Sequence, residues 1–363
     1  MTTSTTALAA IYDGPGRPMR LDSYPVPEVS GGEVLVRVIC CTICGSDLRT
    51  ISGARPAAEP TVLGHEILGE VMTAGGEVCF FGTDRPVSVG DRVTWAVAAS
   101  CGHCRCCQRG IPQKCDSLFK YGHESVSSAG PFSGGLAEVC ILRRGTAILP
   151  VPEGMEDVVA APANCATATA VATLRVADLP PDGTLLVQGG GLLGLSVCGI
   201  AASRGARVLV VDPDENRRGW AKRFGAEAAR APDDAELDAV VAQLTDGVGF
   251  EAAVEASGSL AALDDGLGRL ALRGTYVLAG TVSPTPGWSV DPERVVRRLL
   301  RIEGIHNYTP DDLVAALEYL ATQGAGLPFR DVVVASYRLQ DLEAAVARAT
   351  QPDALRVAIT PDP

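Results

Sequence analysis

The chain has 363 residues, of which 47% are hydrophobic and 20% charged, and this composition indicates a globular protein long enough for two domains. Its formal net charge of −12 at pH 7 argues against a general binder of nucleic acid or of anionic membranes, because their phosphate groups would be repelled. A small anionic substrate is not excluded, since it needs only a local basic pocket.

The sequence offers no pattern typical of export or of membrane insertion. The first segment, MTTSTTALAAIYDGPG, has no basic stretch followed by a long apolar run, so we expect no signal peptide. No stretch reaches the roughly 18 apolar residues of a transmembrane helix. The 12 cysteines, in a long chain without an export signal, favour metal binding over disulfide pairing. We therefore expect a cytoplasmic protein in a reducing compartment.

The first 150 residues predict a mostly β domain. Short apolar runs alternate there with Gly and Pro, which is typical of strands linked by turns. The runs that show this best are EVLVRVICCTICG, HEILGEVMTAG, DRVTWAV and AEVCILRRG. An Ala-rich segment, VVAAPANCATATAVATLRVA, then predicts a helix.

From Gly183 the pattern becomes apolar strand, glycine turn, apolar helix and apolar strand, the βαβ signature of a parallel sheet. Further buried strands are predicted at AAVEAS, TYVLAG and RIEGIH, and helices at RRGWAKRFGA and LAALDDGLGRLAL. After Gly304, helices are predicted at TPDDLVAALEYLATQG and DLEAAVARATQ. The predicted fold class is therefore α/β, with a β-rich domain beside a doubly wound parallel sheet.

A dinucleotide site is predicted where the first strand of this pattern meets its helix. The strand at 185–188 leads into a Gly-x-Gly-x-x-Gly loop, and an acid, Asp212, ends the next strand. The glycines permit a tight turn, close approach of a pyrophosphate, and close packing of helix and strand, while the helix N-terminus offers unpaired N–H groups. The alternative is a glycine-rich turn without a ligand. The predicted cofactor-binding residues are Gly189, Gly191, Leu192, Leu193, Gly194, Asp212 and Arg217.

Acidic residues after the second strand favour NAD over NADP. Asp212 should accept hydrogen bonds from the ribose hydroxyls, and with Asp214 and Glu215 close by it should repel a 2′-phosphate. Arg217 and Arg218 act in the opposite direction, since either could reach an added phosphate. NADP therefore stays the alternative.

Two further segments carry candidate metal ligands. CTICGSDLRT supplies the thiol of Cys44, and VLGHEILGEV supplies the imidazole of His65 and the carboxyl of Glu66. Thiolate and imidazole both suit zinc. Each residue alone also has an ordinary structural explanation, as a small buried cysteine, a hydrogen-bonded histidine or a solvated glutamate. A third segment, CGHCRCCQRGIPQKC, places five cysteines within residues 101–115.

Together these segments resemble the zinc-dependent medium-chain alcohol dehydrogenases. The resemblance extends from Ile11 to the C-terminus and rests, in family order, on CTICGSDLRT, PTVLGHEILGEV, GDRVTW, the cysteine cluster, APANCATA and the glycine loop. It implies a GroES-like catalytic domain at residues 1–158, to which 305–363 return, and an NAD-binding Rossmann domain at 159–304. It also implies a homodimer or homotetramer.

The resemblance implies a catalytic zinc bound by Cys44, His65 and Cys165. Water or substrate would fill the fourth position, or Glu66 in a resting form, and three protein ligands with an open position are what a catalytic zinc needs. Asp47 would orient His65 from behind. For Cys165, a small core cysteine in an Ala-rich helix is the alternative.

The resemblance also implies a structural zinc. Its ligands would be four thiolates that leave no position for substrate, namely Cys101, Cys104, Cys107 and Cys115. Cys106 breaks this spacing and would be a spare thiol. A disulfide framework is the alternative, which the expected reducing compartment disfavours.

The implied activity is the reversible oxidation of an alcohol to an aldehyde or ketone, with zinc as the Lewis acid and nicotinamide as the hydride acceptor. Ser46 stands where relatives keep the Ser or Thr that starts a proton relay. Arg49 stands where many relatives have the histidine that completes it, and a guanidinium cannot shuttle protons at neutral pH. The proton would then leave through the ribose and water, and Arg49 would either bind an anion or be a solvated surface residue.

A narrower resemblance, in SCGHCRCCQRGIPQKCDSLFKYGHE, APANCATATAV and GIHNYTPDDL, is to the subgroup associated with phosphonate metabolism. It implies a small hydroxyalkylphosphonate or phosphonate aldehyde as substrate, whose anionic group would need basic donors. The candidates are Arg49, Lys120, His123 and His306, each of which could also be an ordinary loop residue. The rival hypotheses are a polyol or amino-alcohol dehydrogenase, a zinc- and nucleotide-binding sensor without turnover, and a zinc-free reductase of the wider superfamily.

Overall fold

The computed structural model describes residues 6–361, and the chain divides into two units. The first unit contains the described residues up to Cys165, Thr309–Glu318 and the described residues from Arg330 onward. The second contains Ala166–Tyr308 and Tyr319–Phe329. The domain boundaries after residues 158 and 304 stay predictions.

Between residues 6 and 165 the chain forms mostly short strands, and its helices are one or two turns long. The strands are β1 Thr6–Ile11, β2 Arg20–Pro25, β3 Val34–Thr42, β4 Glu66–Ala74, β5 Arg92–Trp95, β6 Ala98–Ala99, β7 Phe119–Lys120, β8 Val139–Leu142 and β9 Ile148–Pro150. The helices are α1 Gly45–Ile51, α2 Arg105–Gln108, α3 Val126–Ala129 and α4 Asp157–Ala160, with 3-10 turns at Pro112–Lys114 and Ala161–Asn164.

From Ala166 to Tyr308 helices and strands alternate, as the glycine-turn pattern predicts. The strands are β10 Thr184–Gln188, β11 Arg207–Val211, β12 Ala228–Arg230, β13 Phe250–Glu255, β14 Leu270–Leu278 and β15 Arg301–Gly304. The helices are α5 Ala166–Ala177, α6 Leu192–Ser203, α7 Glu215–Arg223, α8 Leu237–Leu244, α9 Leu260–Arg269 and α10 Pro292–Arg298. The last elements are α11 Pro310–Ala321, β16 Val333–Tyr337, α12 Leu342–Ala349 and β17 Arg356–Ile359, with 3-10 turns at Gln323–Gly326 and Leu339–Asp341.

A seven-stranded sheet forms the centre of the first unit. Its strand order is β16-β17-β3-β4-β5-β9, and β8 also pairs with β3. The C-terminal strand β17 lies antiparallel to β3, with Ala358 opposite Thr42. On its other side β3 lies antiparallel to β4, with Thr42 opposite Glu66. The segments that follow β3 and precede β4 therefore meet at one end of this strand pair.

The second unit contains a six-stranded parallel sheet in the order β12-β11-β10-β13-β14-β15. In chain order this is 3-2-1-4-5-6, the doubly wound arrangement whose ligand crevice opens where the order reverses, between β10 and β13. The predicted α/β fold class, a β-rich domain and a doubly wound parallel sheet, is confirmed.

One predicted helix is shorter than its pattern. The segment LAALDDGLGRLAL is helical only as far as Arg269, and Leu270 begins β14, where it pairs with Phe250. A short apolar run fits the periodicity of a helix as well as that of a strand. Leu270 and Ala271 are 1% and 7% exposed, and their burial in the sheet favours the strand.

Among residues 6–361, no helix combines the length and the apolar character needed to cross a membrane. The expectation of no signal peptide was drawn partly from residues 1–5, which lie outside the described residues.

Candidate functional site

Four cysteines of the first unit gather their sulfur atoms around α2. Cys104 Sγ lies 3.5 Å from Cys107 Sγ and 3.9 Å from Cys115 Sγ, and Cys101 Sγ lies 4.0 Å from Cys107 Sγ. Thiolates that bind one zinc ion at about 2.3 Å in a tetrahedron would be about 3.8 Å apart, so these four positions fit the metal. All cysteines of the chain lie within the described residues and all are free thiols, and Cys106 is outside this group.

Backbone hydrogen bonds support the same four sulfur atoms. The N–H of Cys101 donates to Cys115 Sγ at 3.2 Å, and the N–H of Cys104 donates to Cys101 Sγ at 3.3 Å. Ser117 Oγ lies 3.6 Å from Cys115 Sγ. Such bonds stabilise negative charge on sulfur, as four thiolates around one ion require. We call Cys101, Cys104, Cys107 and Cys115 the four-thiol cluster.

A second group of potential metal ligands, here called the mixed cluster, combines donors from three separate segments. Its members are Cys44, His65, Glu66 and Cys165. Each offers one donor atom, and these four atoms all lie within 4.8 Å of one another. Cys44 precedes α1 and His65 precedes β4, so the pairing of β3 with β4 brings them together. Cys165 follows a 3-10 turn, and its Sγ lies 3.4 Å from His65 Nε2.

Asp47 holds two members of the mixed cluster in place. Its Oδ1 lies 3.3 Å from His65 Nδ1, and its Oδ2 accepts a hydrogen bond of 2.9 Å from the backbone N–H of Cys44. Asp47 and His65 are 3% and 4% exposed. A carboxylate at Nδ1 fixes the ring orientation and leaves Nε2 to bind a metal.

Glu66 is engaged by an arginine that the sequence analysis did not identify. Arg356 Nε lies 2.7 Å from Glu66 Oε2 and Arg356 Nη2 lies 2.8 Å from Oε1, while Thr42 Oγ1 also donates to Oε2. Arg356 Nη2 is in addition 3.5 Å from Cys44 Sγ. Both oxygens of the fully buried Glu66 are therefore paired. The available signal was an arginine in the apolar run of β17, a position where an unpaired charge is not tolerated.

The two thiols of the mixed cluster differ in their tendency to ionise. A hydrogen bond from the Cys165 thiol, together with the charges of Arg356 and His65, holds the pKa of Cys44 well below its usual range despite burial. The same bond to Cys44 and burial raise the pKa of Cys165 well above its usual range. Because a metal binds the thiolate form, metal binding to this cluster should release a proton from Cys165.

Ser46 and Arg49 both lie on α1 but in different surroundings. Ser46 Oγ is 3.4 Å from His65 Nε2, so the hydroxyl lies beside the donor atoms of the mixed cluster. Arg49 is exposed, and its carbonyl accepts a hydrogen bond from the N–H of Arg55.

Basic side chains lie close to the mixed cluster. The ring centroid of His123 is 5.4 Å from that of His65. Burial and the neighbouring charge of Arg55 lower the pKa of Lys120 to about 8, whereas the nearby sulfur groups of Cys165 and Cys44 oppose this shift. Arg55, close enough to act on Lys120, was not anticipated from the sequence. His306 is exposed and belongs to the second unit.

His123 has a defined hydrogen-bonding pattern. Its Nδ1 lies 2.8 Å from the carbonyl oxygen of Tyr121, which can only accept, so Nδ1 carries the proton. Burial and the positive charge of Lys120 lower the pKa of His123 well below its usual range, so the ring is neutral. Its Nε2 is then a hydrogen-bond acceptor rather than a charged donor.

In the second unit the glycine loop has the backbone that a dinucleotide needs. Gly189 has φ 108°, and a Cβ on Gly194 would lie 1.9 Å from the Gly189 carbonyl oxygen, so both positions require glycine. Gly191 caps α6 and has open space where a side chain would be. The first turn of α6, at Leu192 and Leu193, presents unpaired N–H groups to that space.

Asp212 closes the other side of the loop. It is 3% exposed, its Oδ2 accepts a hydrogen bond of 2.6 Å from the N–H of Gly190, and its Oδ1 accepts one of 2.8 Å from the N–H of Asp214. Arg217 Nη1 lies 3.9 Å from Asp212 Oδ2. Arg218 Nη1 is engaged by backbone carbonyls, which leaves Arg217 as the closer partner for an anionic group.

Comparison with protein-family models gives two matches. Residues 30–153 match the model described as "Alcohol dehydrogenase GroES-like domain". Residues 193–322 match the model described as "Zinc-binding dehydrogenase".

Similar proteins align over nearly the whole chain. An L-threonine 3-dehydrogenase from Streptomyces avermitilis is 30% identical over 336 residues, which cover 91% of this chain and 92% of the relative. A sorbitol dehydrogenase from Halalkalibacterium halodurans is 27% identical over 362 residues, or 98% of this chain and 99% of the relative. The crystal structure of an alcohol dehydrogenase from Thermotoga maritima superimposes with a TM-score of 0.92 at 25% identity, covering 99% of this chain and 100% of that one.

These matches agree with the predicted class of enzyme, an oxidoreductase that acts on CH–OH groups. The family models, the relatives and the fold all point to the same assignment. The chain belongs to the zinc-dependent medium-chain alcohol dehydrogenase family.

Proposed function

We propose that this protein is an NAD-linked dehydrogenase of a small alcohol, with Cys44, His65 and Cys165 as the ligands of a catalytic zinc. The observation that carries the proposal is the engagement of Glu66. Arg356 and Thr42 pair both of its oxygens, so three protein donors remain for the ion. Three ligands and one open position are typical of catalytic zinc.

A zinc ion bound there would supply a Lewis acid for the substrate oxygen, and NAD would accept the hydride. Asp47 Oδ1 lies 3.3 Å from His65 Nδ1, so Nε2 would be the ring nitrogen that binds the zinc ion. Ser46 Oγ, 3.4 Å from Nε2, is placed to accept the proton of the substrate hydroxyl. The exposed guanidinium of Arg49 cannot carry that proton further at neutral pH, so Ser46 would be the last side chain of α1 to hold it.

The four-thiol cluster is proposed to bind a second, structural zinc. Its spacing supports four-thiolate coordination, and four thiolates leave no position for a substrate. Cys106 takes no part in this proposal. The ion would hold the loop at residues 101–115 rather than react.

Cofactor preference is proposed to favour NAD. The buried Asp212 beside the glycine loop is placed for ribose hydroxyls, and its charge would repel a 2′-phosphate. Comparison of kcat/KM for NAD⁺ and NADP⁺ tests this preference, and a higher value with NADP⁺ would contradict it.

The activity is tested by incubating the zinc-loaded protein and NAD⁺ with a panel of polyols, amino alcohols and simple alcohols, while NADH formation is followed. We expect turnover with at least one class. The relatives named sorbitol dehydrogenase and L-threonine 3-dehydrogenase make polyols and amino alcohols the first to try. The neutral His123, with an acceptor at Nε2, supports a substrate with several hydroxyls. Binding of NAD⁺ and zinc without turnover of any alcohol would support the sensor alternative.

A second candidate is an anionic alcohol such as a hydroxyalkylphosphonate. It is supported by Lys120, which lies near Cys44 and Cys165, and by Arg55, which lies near Lys120, since both side chains could neutralise an anion. Arg49 and His306 stay weaker candidates, since both are exposed. The phosphonate itself rests on the narrower resemblance alone. Turnover of 2-hydroxyethylphosphonate should exceed that of a neutral alcohol of the same size, and equal or better turnover of the neutral alcohol would contradict this candidate.

Assembly and location complete the proposal. We propose a homodimer or homotetramer in the cytoplasm, with a small-molecule substrate and with neither nucleic acid nor membrane as partner. Light scattering of the purified protein tests the assembly, and a monomer at micromolar concentration would contradict it.

A further inference from the structure

Glu255, the last residue of β13, has a buried carboxylate that joins two loops. It is fully buried. Its Oε1 accepts hydrogen bonds from the N–H of Ser257 at 2.6 Å, from the hydroxyl of Ser257 at 2.9 Å and from the N–H of Gly258. Its Oε2 accepts a hydrogen bond of 2.8 Å from Thr281 Oγ1. The segment after β13 and the segment after β14 are thus held by one side chain. We call Glu255, Ser257, Gly258 and Thr281 the Glu255 clamp.

The clamped segment packs directly against the glycine loop. A Cβ on Gly189 would lie 3.0 Å from both the carbonyl carbon of Ala256 and the N–H nitrogen of Ser257. On the other side, a Cβ on Gly280 would lie 2.5 Å from the carbonyl carbon of Ala256. Because the backbone segments approach so closely, residues 256–258 cannot shift without displacing the glycine loop that lines the crevice.

The Glu255 clamp lies on the side of the crevice away from Asp212. Strand β10 ends in the glycine loop, with β11 and its Asp212 on one side and β13 and β14 on the other. A dinucleotide that places its pyrophosphate on α6 and its adenosine ribose on Asp212 must extend toward the ends of β13 and β14. The clamp therefore supports the half of the crevice that receives the nicotinamide.

A carboxylate is suited to this task in a way that an amide is not. Four donors converge on the two oxygens of Glu255, and a carboxylate can accept from all of them. A glutamine would offer one acceptor oxygen and an NH₂ group that faces donors. Within residues 6–361 Glu255 forms no ion pair, so the donors alone stabilise its charge.

We propose that Glu255 is a positioning residue for the nicotinamide half of the cofactor. Its carboxylate joins residues 256–258 and 279–281 into one preformed surface of the crevice, which the free protein already presents. The inference rests on the proposed binding of NAD by the second unit. It predicts that Glu255 affects ligands that reach the nicotinamide half and does not affect ligands confined to the adenosine half.

The test compares dissociation constants of the full-length, zinc-loaded protein for NADH and for ADP, which has neither nicotinamide nor its ribose. Glu255→Gln should raise the Kd of NADH about tenfold, as expected for the loss of hydrogen bonds to a charged group. The Kd of ADP should change by less than about twofold. NADH fluorescence and calorimetry with ADP give these values without any turnover.

The matched control is Glu251→Gln, the same substitution at the amino end of the same strand, where the carboxylate accepts a backbone hydrogen bond from Thr184. It should leave the Kd of both ligands unchanged. An unchanged Kd of NADH in Glu255→Gln, or an equal loss of NADH and ADP, would overturn the inference, because a merely structural residue would not change the ratio of the two constants.

A second variant covers the case in which Glu255→Gln does not fold. Thr281→Val removes one of the four donors. It should raise the Kd of NADH about threefold and leave the Kd of ADP unchanged. No effect on NADH, or an equal effect on both ligands, would again overturn the inference. Failure of the wild-type protein to bind NADH would instead contradict the proposed function itself.

Discussion

The two clusters of potential metal ligands in the first unit are assembled from similar donors but lie in different environments. The four-thiol cluster takes its donors from 15 consecutive residues, and most of its members are partly exposed. The mixed cluster takes its donors from three distant segments, with Asp47 and Ser46 beside His65 and with Arg356 paired to its own Glu66. The first cluster can stabilise only its own loop. The second is shaped by groups that orient its ligands and keep a carboxylate occupied, so the surroundings rather than the thiols distinguish the reactive site.

The largest effect should follow from breaking the mixed cluster. Cys44→Ala removes one of three proposed ligands, so alcohol oxidation should fall to background while the four-thiol cluster keeps its ion. Metal analysis should then show a decrease from roughly two zinc ions per chain to one. Substantial turnover by this variant, or loss of both ions, would contradict the separation of the two clusters.

Breaking the four-thiol cluster should affect stability. Cys107→Ser removes a structural ligand, and structural zinc contributes directly to folding free energy. A loss of about 3 kcal/mol would lower the melting temperature by about 4 °C, measured by calorimetry of the zinc-loaded protein. Cys106→Ser is the matched control, since Cys106 lies outside the cluster and should leave both zinc content and melting temperature unchanged. Equal effects of the two substitutions would remove the basis for the assignment.

A smaller loss is expected at the residue that orients His65. Asp47→Asn keeps the size of the side chain but removes the charge behind Nδ1, and losses of this kind typically lower metal affinity or activity by about 10–100-fold. Zinc affinity, measured by competition with a chelator, should fall while the melting temperature of the metal-free protein changes little. Full zinc affinity and full activity would show that His65 does not depend on Asp47.

The smallest effect concerns the anionic-substrate candidate and depends on pH. The Lys120 ammonium, whose pKa is lowered to about 8, is charged below that pH and loses its charge as the pH rises through it. If the substrate is anionic, its KM should therefore rise above pH 8, and Lys120→Met should raise KM by about tenfold at pH 7. The KM of a neutral alcohol should change in neither experiment. If it rose as much as the KM of the anionic alcohol, a contact between Lys120 and the anion would be ruled out. Lys222→Met is the control, since Lys222 lies on α7 of the second unit, where its Nζ donates to the carbonyl of Glu227, and the substitution should leave both KM values unchanged.

The donors of the mixed cluster and of the four-thiol cluster could be selected from the sequence because the segments that carry them resemble a known family. Without that resemblance, Cys44 and His65 also fit ordinary structural roles, and the cysteines of residues 101–115 also fit a disulfide framework. The dinucleotide site has a local pattern of its own, since a glycine loop follows β10 and Asp212 directly follows β11.

Other site residues could not be predicted, because their roles depend on pairing between distant segments. Arg356 meets Glu66 only through the register of β17 against β3, and Arg55 acts on Lys120 across separate loops. His123 likewise lies beside His65, with 5.4 Å between the ring centroids, only because the fold brings their separate segments together. The predicted end of α9 is wrong for a related reason. Leu270 pairs with Phe250 in the sheet, and this pairing, rather than the local periodicity, places Leu270 in β14.

In the proposed function, the mixed cluster leaves its zinc ion one open coordination position and the four-thiol cluster leaves none. The most direct measurement is the visible absorption spectrum of the Co²⁺-substituted protein, recorded while imidazole is added as an external ligand. The bands of the mixed cluster, identified by their absence in Cys44→Ala, should shift on titration, and those of the four-thiol cluster should stay constant. Bands that are all insensitive to the ligand, or bands of the four-thiol cluster that shift, would contradict the account.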